Sequence, residues 1–188
     1  MPPEPAVHLR GDELGRSYTP DAVALAILQR LAERVPAGAS ILEPCVGGGA
    51  FIRACRRVLG PRYVCGVDVD PDAPGRAGVD EFVVQSFGSV AWAPAFDLVV
   101  TNPPFGKAVG QDTTLCILRT ARAAAEVCAM LVPIDYLTQS GFEADVAECA
   151  EVWPVLPRPF VHERGMVVLV WDQGHRGPTW HRPLRWRS

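Results

Sequence analysis

The sequence contains no apolar run of the ~18 residues that a membrane-spanning helix needs. Its first residues, Met1-Pro2-Pro3-Glu4-Pro5, lack the charged and then apolar form of a signal peptide. None of its 6 cysteines belongs to a C-x-x-C pair, and most lie in apolar stretches, so we interpret them as reduced core residues. These absences predict a cytoplasmic protein with no membrane contact and no metal site.

The chain also lacks the positive net charge that is typical of a free-standing nucleic-acid-binding domain. Its net charge is −3, with 18 Lys and Arg against 21 Asp and Glu. Residues 173–188, however, carry four arginines and no acid, interleaved with Trp180 and Trp186. Arginine neutralises phosphates and tryptophan stacks on bases. This basic C-terminal tail is therefore either a nucleic-acid contact or a surface segment that docks on the body.

The length of 188 residues and the hydrophobic content of 48% predict a single domain, residues 1–188, that begins with a loose arm at 1–15. Strands are predicted at 40–43, 63–68, 81–85, 96–100, 127–132, 151–156 and 166–171. Helical patterns separate most of them, which indicates an α/β fold with a mostly parallel sheet. The last two strands have no helix between them, so they predict an antiparallel edge.

Two helices carry specific expectations. Thr19 is predicted to cap a helix whose first residue is Pro20 and whose apolar residues repeat at helical spacing as far as Val35. A later helix is predicted to reach about Ala150. Its acidic residues are expected to form a solvated face; they are Glu143, Asp145, Glu148 and Glu151.

A glycine-rich turn, Pro44-Cys45-Val46-Gly47-Gly48-Gly49, follows the first predicted strand directly after Glu43. It does not fit G-x-G-x-x-G and has no phosphate-cradling lysine, so dinucleotide and triphosphate ligands are disfavoured. The next strand ends at Asp68, about 20 residues after the glycines, where an acid binds ribose hydroxyls in nucleotide-binding folds. Asp70 is the alternative for that role. The expected ligand has a cationic amino-acid end and a nucleoside end.

A second turn, Asn102-Pro103-Pro104-Phe105, follows the predicted strand at 96–100. Each proline fixes its own φ and holds the preceding residue in extended geometry, so the Asn102 amide is aimed rather than mobile. Taken alone, the triplet is equally consistent with a simple proline-rich turn.

Together, these motifs resemble those of the class I S-adenosylmethionine-dependent methyltransferases, and specifically the enzymes that methylate the exocyclic amine of adenine. Those enzymes combine an acid-Pro-x-x-Gly-x-Gly-x-Phe loop with a later Asn-Pro-Pro-aromatic motif, as this chain does at 43–51 and 102–105. The resemblance implies a Rossmann-like α/β fold. Its mostly parallel seven-stranded sheet would have an antiparallel edge strand and helices on both faces.

The resemblance also implies S-adenosylmethionine as the cofactor and assigns residues to three roles. Cofactor contacts are implied for Tyr18, Thr19, Pro20, Glu43, Pro44, Gly47, Gly49, Asp68, Ser86 and Phe87. Ser86 stands where the family often has an acid. Catalytic roles are implied for Asn102, Pro103, Pro104 and Phe105: the Asn102 amide oxygen and the Pro103 carbonyl would accept the amine N–H groups, and Phe105 would stack on the base. Substrate contacts are suggested for Lys107, Phe160, His162 and Arg164, for which a plain surface position is equally open.

The function implied is methylation of the adenine amino group in DNA, with DNA favoured over RNA as the nucleic-acid partner. Because no separate target-recognition domain is expected, sequence preference should be short or relaxed, or a partner subunit should supply recognition. RNA adenine methylation, protein glutamine methylation and a non-catalytic methyltransferase-like subunit remain as alternatives. The enzymes that methylate glutamine generally have Tyr where this chain has Phe105.

Overall fold

A computed structural model describes residues 18–89, 92, 95–105, 111–156 and 165–186. The helices are α1 (Asp21–Leu31), α2 (Ala50–Val58), α3 (Gln111–Ala124) and α4 (Glu143–Ala147). The strands are β1 (Ser40–Glu43), β2 (Tyr63–Asp68), β3 (Glu81–Val84), β4 (Phe96–Thr101), β5 (Ala125–Pro133), β6 (Glu151–Leu156), β7 (Met166–Asp172), β8 (Trp180–His181) and β9 (Leu184–Arg185). Short 3-10 turns occur at Pro74–Gly78, Phe87–Ser89 and Ile134–Leu137. None of the described helices is long and apolar enough to cross a membrane.

The described strands form one sheet in the order β3-β2-β1-β4-β5-β7-β6-β8, with β9 also paired to β6. Strands β1 to β5 run parallel, while β7 runs antiparallel to both β5 and β6. All seven predicted strands are present, and the predicted antiparallel pairing is confirmed. The short strands β8 and β9 come from the C-terminal tail and were not predicted.

Apolar side chains cover both faces of the sheet, as the alternation in β5 shows. Val127, Ala129 and Leu131 belong to the core cluster that contains α1 and α2. Cys128, Met130 and Val132 point the other way, into the cluster that contains α3. Alternating side chains of a strand lie on opposite faces, so the predicted helices on both faces are confirmed.

The start of α1 differs from the expectation. The helix begins at Asp21, Pro20 takes the N-cap position in extended geometry, and no side chain caps it. Thr19 lies one residue before the N-cap position, and its hydroxyl instead accepts a hydrogen bond from the Asn102 side chain, 83 residues away. The expectation that Thr19 caps α1 is therefore wrong.

The prediction of a solvated acidic helix face is wrong for Asp145 and Glu151, whereas Glu143 and Glu148 are exposed as expected. Helix α4 has five residues, and Glu151 lies in β6 rather than on a helix. Asp145 and Glu151 are buried, 5% and 4% exposed. Asp145 accepts hydrogen bonds from Arg119 at 3.1 and 3.2 Å, and Glu151 accepts one from Arg34 at 3.1 Å. These two acids neutralise arginines inside the protein, and such pairing is what allows a carboxylate to be buried.

Candidate active site

The two motifs identified in the sequence meet at one edge of the sheet. Strands β1 and β4 are parallel neighbours, with Ile41 opposite Leu98 and Leu42 opposite Val99. Their carboxyl ends therefore lie side by side, about 4.8 Å apart. Ligands bind at this edge in parallel α/β sheets, where neighbouring strands lead into different loops. The glycine-rich loop follows β1, and Asn102-Pro103-Pro104-Phe105 extends from the end of β4.

The glycine loop has a backbone that requires glycine at its last position. Gly47 and Gly49 have φ angles of +45° and +75°, in the left-handed region. A Cβ at Gly49 would also lie 2.7 Å from the Cα of Gly75, in the 3-10 turn after β2. The Gly75 N–H donates to the Gly47 carbonyl at 2.9 Å, and the Arg53 guanidinium donates to the Gly48 carbonyl at 2.7 Å. These contacts hold the loop in one shape.

Asp68, at the end of β2, lies directly against the glycine loop. Its Oδ2 accepts the Gly47 N–H at 2.8 Å, and its Oδ1 accepts the Asp70 N–H at 3.0 Å. Each carboxylate oxygen has two acceptor sites, so both oxygens keep capacity for a ligand hydroxyl. The ribose contact of Asp68 stays a prediction.

Glu43 is a buried acid below the same loop, only 2% exposed. Burial raises the pKa of its carboxyl well above the ordinary value, and the hydrogen bond from the Cys45 backbone N–H only partly opposes this rise. The Cys45 N–H donates to Oε1 at 3.1 Å. A bound cation would favour the charged carboxylate again, so this environment fits the ammonium end of an amino acid.

The segment before α1 touches both loops. A Cβ added at Gly47 or Gly48 would meet the Tyr18 ring at 3.2 or 3.3 Å, so this ring covers the glycine loop. The next residue, Thr19, accepts the Asn102 Nδ2–H at 3.1 Å. Since Nδ2 faces Thr19, the other end of the amide, Oδ1, is directed elsewhere. Residues 18 and 19 therefore link the glycine loop to the Asn102-Pro103-Pro104-Phe105 turn; the cofactor contacts of 18–20 stay a prediction.

The Asn102-Pro103-Pro104-Phe105 turn is held by residues that the sequence analysis did not single out. The Thr114 hydroxyl on α3 donates to the Pro104 carbonyl at 2.9 Å, and the Tyr136 hydroxyl lies 3.4 Å from Thr114. Phe105 is partly buried and contacts both core clusters. A threonine within a helix carries no signal in a sequence, so its role becomes visible only in the fold. The arrangement keeps Pro103 and Asn102 in a fixed position.

The region after β3 departs from the expectation for one side chain. Ser86 is exposed, but the Phe87 ring is 3% exposed and stacks on Trp92 with ring centroids 5.5 Å apart. A ring so deeply packed has little surface left for a ligand. The cofactor contact implied for Phe87 is therefore not supported for its side chain.

Four suggested substrate residues, Lys107, Phe160, His162 and Arg164, lie outside the described residues, as does the arm at 1–15. Their roles stay predictions. In the described part of the chain, no group of three or more His, Cys, Asp or Glu is arranged to hold a metal ion.

Sequence comparison finds relatives for part of the chain. It is 39% identical over 109 residues to the type II methyltransferase M.TthHB8I of Thermus thermophilus, covering 56% of this chain and 24% of that protein. It is 32% identical over 94 residues to the type II methyltransferase M.CvrRI of Paramecium bursaria Chlorella virus, covering 48% and 24%. The chain thus spans about a quarter of the length of these curated relatives. No protein-family model matches it.

Structural comparison covers nearly the whole chain. A methyltransferase subunit of a type I restriction-modification system from Streptococcus thermophilus superposes with a TM-score of 0.74 at 14% identity, covering 92% of this chain and 48% of that one. A Listeria monocytogenes protein assigned to the class I S-adenosylmethionine-dependent methyltransferases superposes with a TM-score of 0.73 at 16% identity, covering 93% and 68%. The chain has the class I methyltransferase fold. The predicted fold and the predicted resemblance are confirmed.

The class I methyltransferase fold explains why the two loops and Asp68 lie close together. Its central strands β1 and β4 carry the two loops, and β2 brings Asp68 to the first of them. The relatives match at the level of sequence, whereas these two solved structures, at 14% and 16% identity, match in fold alone.

Proposed function

We propose that the protein transfers the methyl group of S-adenosylmethionine to the exocyclic amino group of adenine in DNA. The observation that supports this most directly is the Asn102 amide, held by Thr19 beside a glycine loop that is built around two acids, Glu43 and Asp68. Two relatives are type II methyltransferases and one structural neighbour belongs to a restriction-modification system, which supports DNA as the polymer.

The described residues fit the proposed cofactor. Glu43 offers a buried carboxylate for the ammonium group, and Asp68 offers free acceptor capacity for the ribose. The absence of side chains at Gly47 and Gly49 lets the Tyr18 ring and the Gly75 backbone pack against the loop, which fixes the shape that the cofactor would meet. Bound S-adenosylmethionine supplies an activated methyl group on a positively charged sulfur.

The Asn102-Pro103-Pro104-Phe105 turn can raise the reactivity of the adenine amine that receives the methyl group. The lone pair of the adenine amine is spread into the ring, so the nitrogen is a weak nucleophile. Hydrogen-bond acceptors for both N–H groups of the amine localise the lone pair on the nitrogen. We assign this role to the Asn102 Oδ1 and the Pro103 carbonyl oxygen. Neither oxygen is a base, so the surplus proton leaves to solvent after transfer. Phe105 stacks on the base and holds its plane.

Base stacking also bears on the form of DNA that the site favours. A stacking contact contributes about 1 to 3 kcal/mol, and extruding a paired base costs a few kcal/mol. Phe105 therefore offsets only part of that cost. We expect single-stranded or distorted DNA to be a better substrate than intact duplex, with short or relaxed sequence preference unless a partner subunit adds recognition. A cytoplasmic location belongs to the proposal and agrees with the free state of all 6 cysteines.

The proposal is tested by incubating the protein with methyl-labelled S-adenosylmethionine and unmodified DNA, digesting the product to nucleosides and identifying the labelled one. We expect the label in N6-methyl-2′-deoxyadenosine, and far less of it with the Asn102→Ala variant. Label in cytosine would refute the adenine assignment. Label that appears only in RNA or only in protein glutamine would refute DNA as the substrate.

Thr19 provides a sharper prediction about the same site. Thr19→Val removes the hydroxyl that binds Asn102 Nδ2 but keeps the shape of the side chain. We expect kcat to fall about 10- to 100-fold, because a reacting group that loses its alignment costs factors of this size. Thr19→Ser keeps the hydroxyl and is the matched control; it should retain most of the activity. Equal losses in both variants, or a loss of thermal stability that accompanies the loss of kcat, would contradict a positioning role.

A further inference from the structure

The C-terminal tail is an ordered element of the fold. Strands β8 and β9 pair in parallel with β6, with Trp180 opposite Glu151 and Leu184 opposite Val155. The Trp180 N–H donates to the Ala150 carbonyl at 3.0 Å, and the Arg182 N–H donates to the Val152 carbonyl at 3.0 Å. The backbone of this segment is therefore fixed along the outer edge of the sheet.

Helix α1 anchors the same segment from the side. The Arg30 guanidinium donates to the carbonyls of Arg182 and Pro183 at 3.3 and 3.2 Å, and it stacks over the Trp153 ring at 4.5 Å. The side chains that remain directed outward are Trp180, His181, Arg182 and Arg185, all exposed. We call these four residues the tail strip. The backbone that carries the tail strip is held in place before any partner binds.

The tail strip carries two arginines, and Arg182 interacts at longer range with the Glu151 carboxylate, which also pairs with Arg30 and Arg34. The nearest acids on β6 and β7, Glu151 and Asp172, are already paired with Arg34. Within the described residues, Arg182 and Arg185 form no salt bridge. Arg182 instead lies over the Trp180 ring, 5.5 Å from its centroid. Burial lowers the pKa of Arg30; the Glu151 charge opposes this shift, and the Arg182 charge adds to it.

The position of the tail strip relates it to the candidate active site. Strand β6 runs parallel to β5, since both are antiparallel to β7, and β9 pairs with the carboxyl end of β6. From Trp180 to Arg185, the tail strip therefore runs toward the edge of the sheet that holds the carboxyl end of β4 and Asn102. Four strand spacings separate β4 from β9, or about 19 Å. At a rise of about 3.4 Å per base, this is a distance of about six nucleotides.

We propose that the tail strip binds the sugar-phosphate backbone of the DNA whose target base enters the site at Asn102, with Arg182 and Arg185 on phosphates and Trp180 holding the Arg182 guanidinium in place. The inference rests on the proposed function for the identity of the polymer. It adds a second contact region, outside the catalytic edge, in a protein whose net charge of −3 gives no general attraction to nucleic acid. Flexible cations elsewhere on the surface would not have this preset geometry.

The test is binding of a short fluorescein-labelled DNA duplex, and of one of its strands, to the full chain, followed by fluorescence anisotropy at several salt concentrations. Each lost phosphate contact should reduce the slope of log K against log salt by about 0.9 on duplex and about 0.7 on single strands. At about 0.1 M salt this corresponds to Kd values raised about eightfold on duplex for Arg182→Gln or Arg185→Gln. Trp180→Ala should weaken binding in the same direction as Arg182→Gln.

The matched control is Arg57→Gln, which removes one exposed arginine from α2, in the half of the sheet remote from β6. It should leave both Kd and salt slope unchanged. Tail-strip variants that bind DNA like the unmodified protein would overturn the proposal. Weaker binding of an acidic peptide, with DNA binding intact, would also overturn it and indicate a protein partner.

Methyl transfer separates this inference from the proposed function. If the protein methylates DNA, tail-strip variants should raise KM for DNA and keep kcat at saturating DNA. If these variants methylate DNA with an unchanged KM for DNA, the tail-strip proposal is refuted and the enzyme assignment is retained. Conversely, tail-dependent DNA binding without methyl transfer to any nucleic acid would refute the enzyme assignment and leave the tail-strip contact intact.

Discussion

Replacement of Asn102 by alanine should lower kcat for methyl transfer about 100- to 1,000-fold, the usual cost of removing one preorganised polar group that stabilises a transition state. The Asn102 amide is anchored through Nδ2 on Thr19 at 3.1 Å, so its oxygen keeps one direction. Pro103 is buried behind it, and the Thr114 hydroxyl holds the Pro104 carbonyl. Alanine removes the side-chain acceptor and leaves this frame in place.

The measurement is steady-state methyl transfer combined with calorimetry of S-adenosylmethionine binding. Cofactor Kd should stay within about twofold of the original, since Asn102 does not belong to the glycine loop. Asn102→Asp is the informative companion: the Thr19 hydroxyl can donate to a carboxylate, which keeps an aimed oxygen, so partial activity is expected. Full activity of Asn102→Ala would exclude the catalytic role assigned to Asn102. A large loss of cofactor affinity in the same variant would instead show that Asn102 binds the cofactor.

The second large effect is expected at Glu43, where stability and cofactor binding should move in opposite directions. The pKa of this carboxyl is raised well above its ordinary value, first because of burial. The folded protein therefore binds more protons at this site than the unfolded chain between the two pKa values, and stability falls as pH rises through that window. Above it, the charged carboxylate destabilises the fold in full.

Glu43→Gln removes this charge but keeps an oxygen for the Cys45 N–H. We expect the variant to be more thermostable than the original at neutral pH, by about 2 to 4 °C for each kcal/mol gained in a domain of this size. The gain should shrink as pH falls below the raised pKa, because Glu43 is then neutral as well. Thermal unfolding across pH measures this, with the exposed Glu126→Gln as the matched control.

Cofactor affinity should change in the other direction. Loss of a charged partner for the ammonium group costs about 1.5 to 3 kcal/mol, or about 10- to 100-fold in Kd. In the original protein, affinity should rise with pH through the raised pKa of Glu43, because the ammonium group needs the carboxylate; in Glu43→Gln this dependence should disappear. A variant with unchanged Kd would remove Glu43 from the cofactor site, and a less stable variant would show that its charge is compensated in the fold.

The sequence was informative wherever the residues of one short stretch determine the conformation of that stretch. Glycines at 47–49 permit left-handed φ angles, and prolines at 103 and 104 fix the backbone after a strand, so both loops could be located from local chemistry. Alternating or continuous apolar runs marked the seven main strands. The resemblance of the two loops to known methyltransferases then implied the fold that the structural comparison confirms.

Other features depend on partners that no local pattern reveals. Thr19 is separated from Asn102 by 83 residues, and Arg34 from Glu151 by 117. Sequence periodicity predicts which face of an element is apolar, but it does not show which distant cation will meet a buried acid or which carbonyl will receive a hydroxyl. For that reason Glu151 was expected to be solvated and Thr19 to cap a helix.

By itself, then, the sequence determined the kind of site: two loops at strand ends, with the residue types that suit an amino-acid nucleoside and a flat amine. Only the tertiary structure decided how that site is held, through Tyr18 over the glycines, Thr19 on Asn102 and Thr114 under Pro104. It also decided that the basic tail lies along β6 as an ordered edge. Backbone preference is a local property, whereas the partner of each polar side chain is set by the packing of the whole chain.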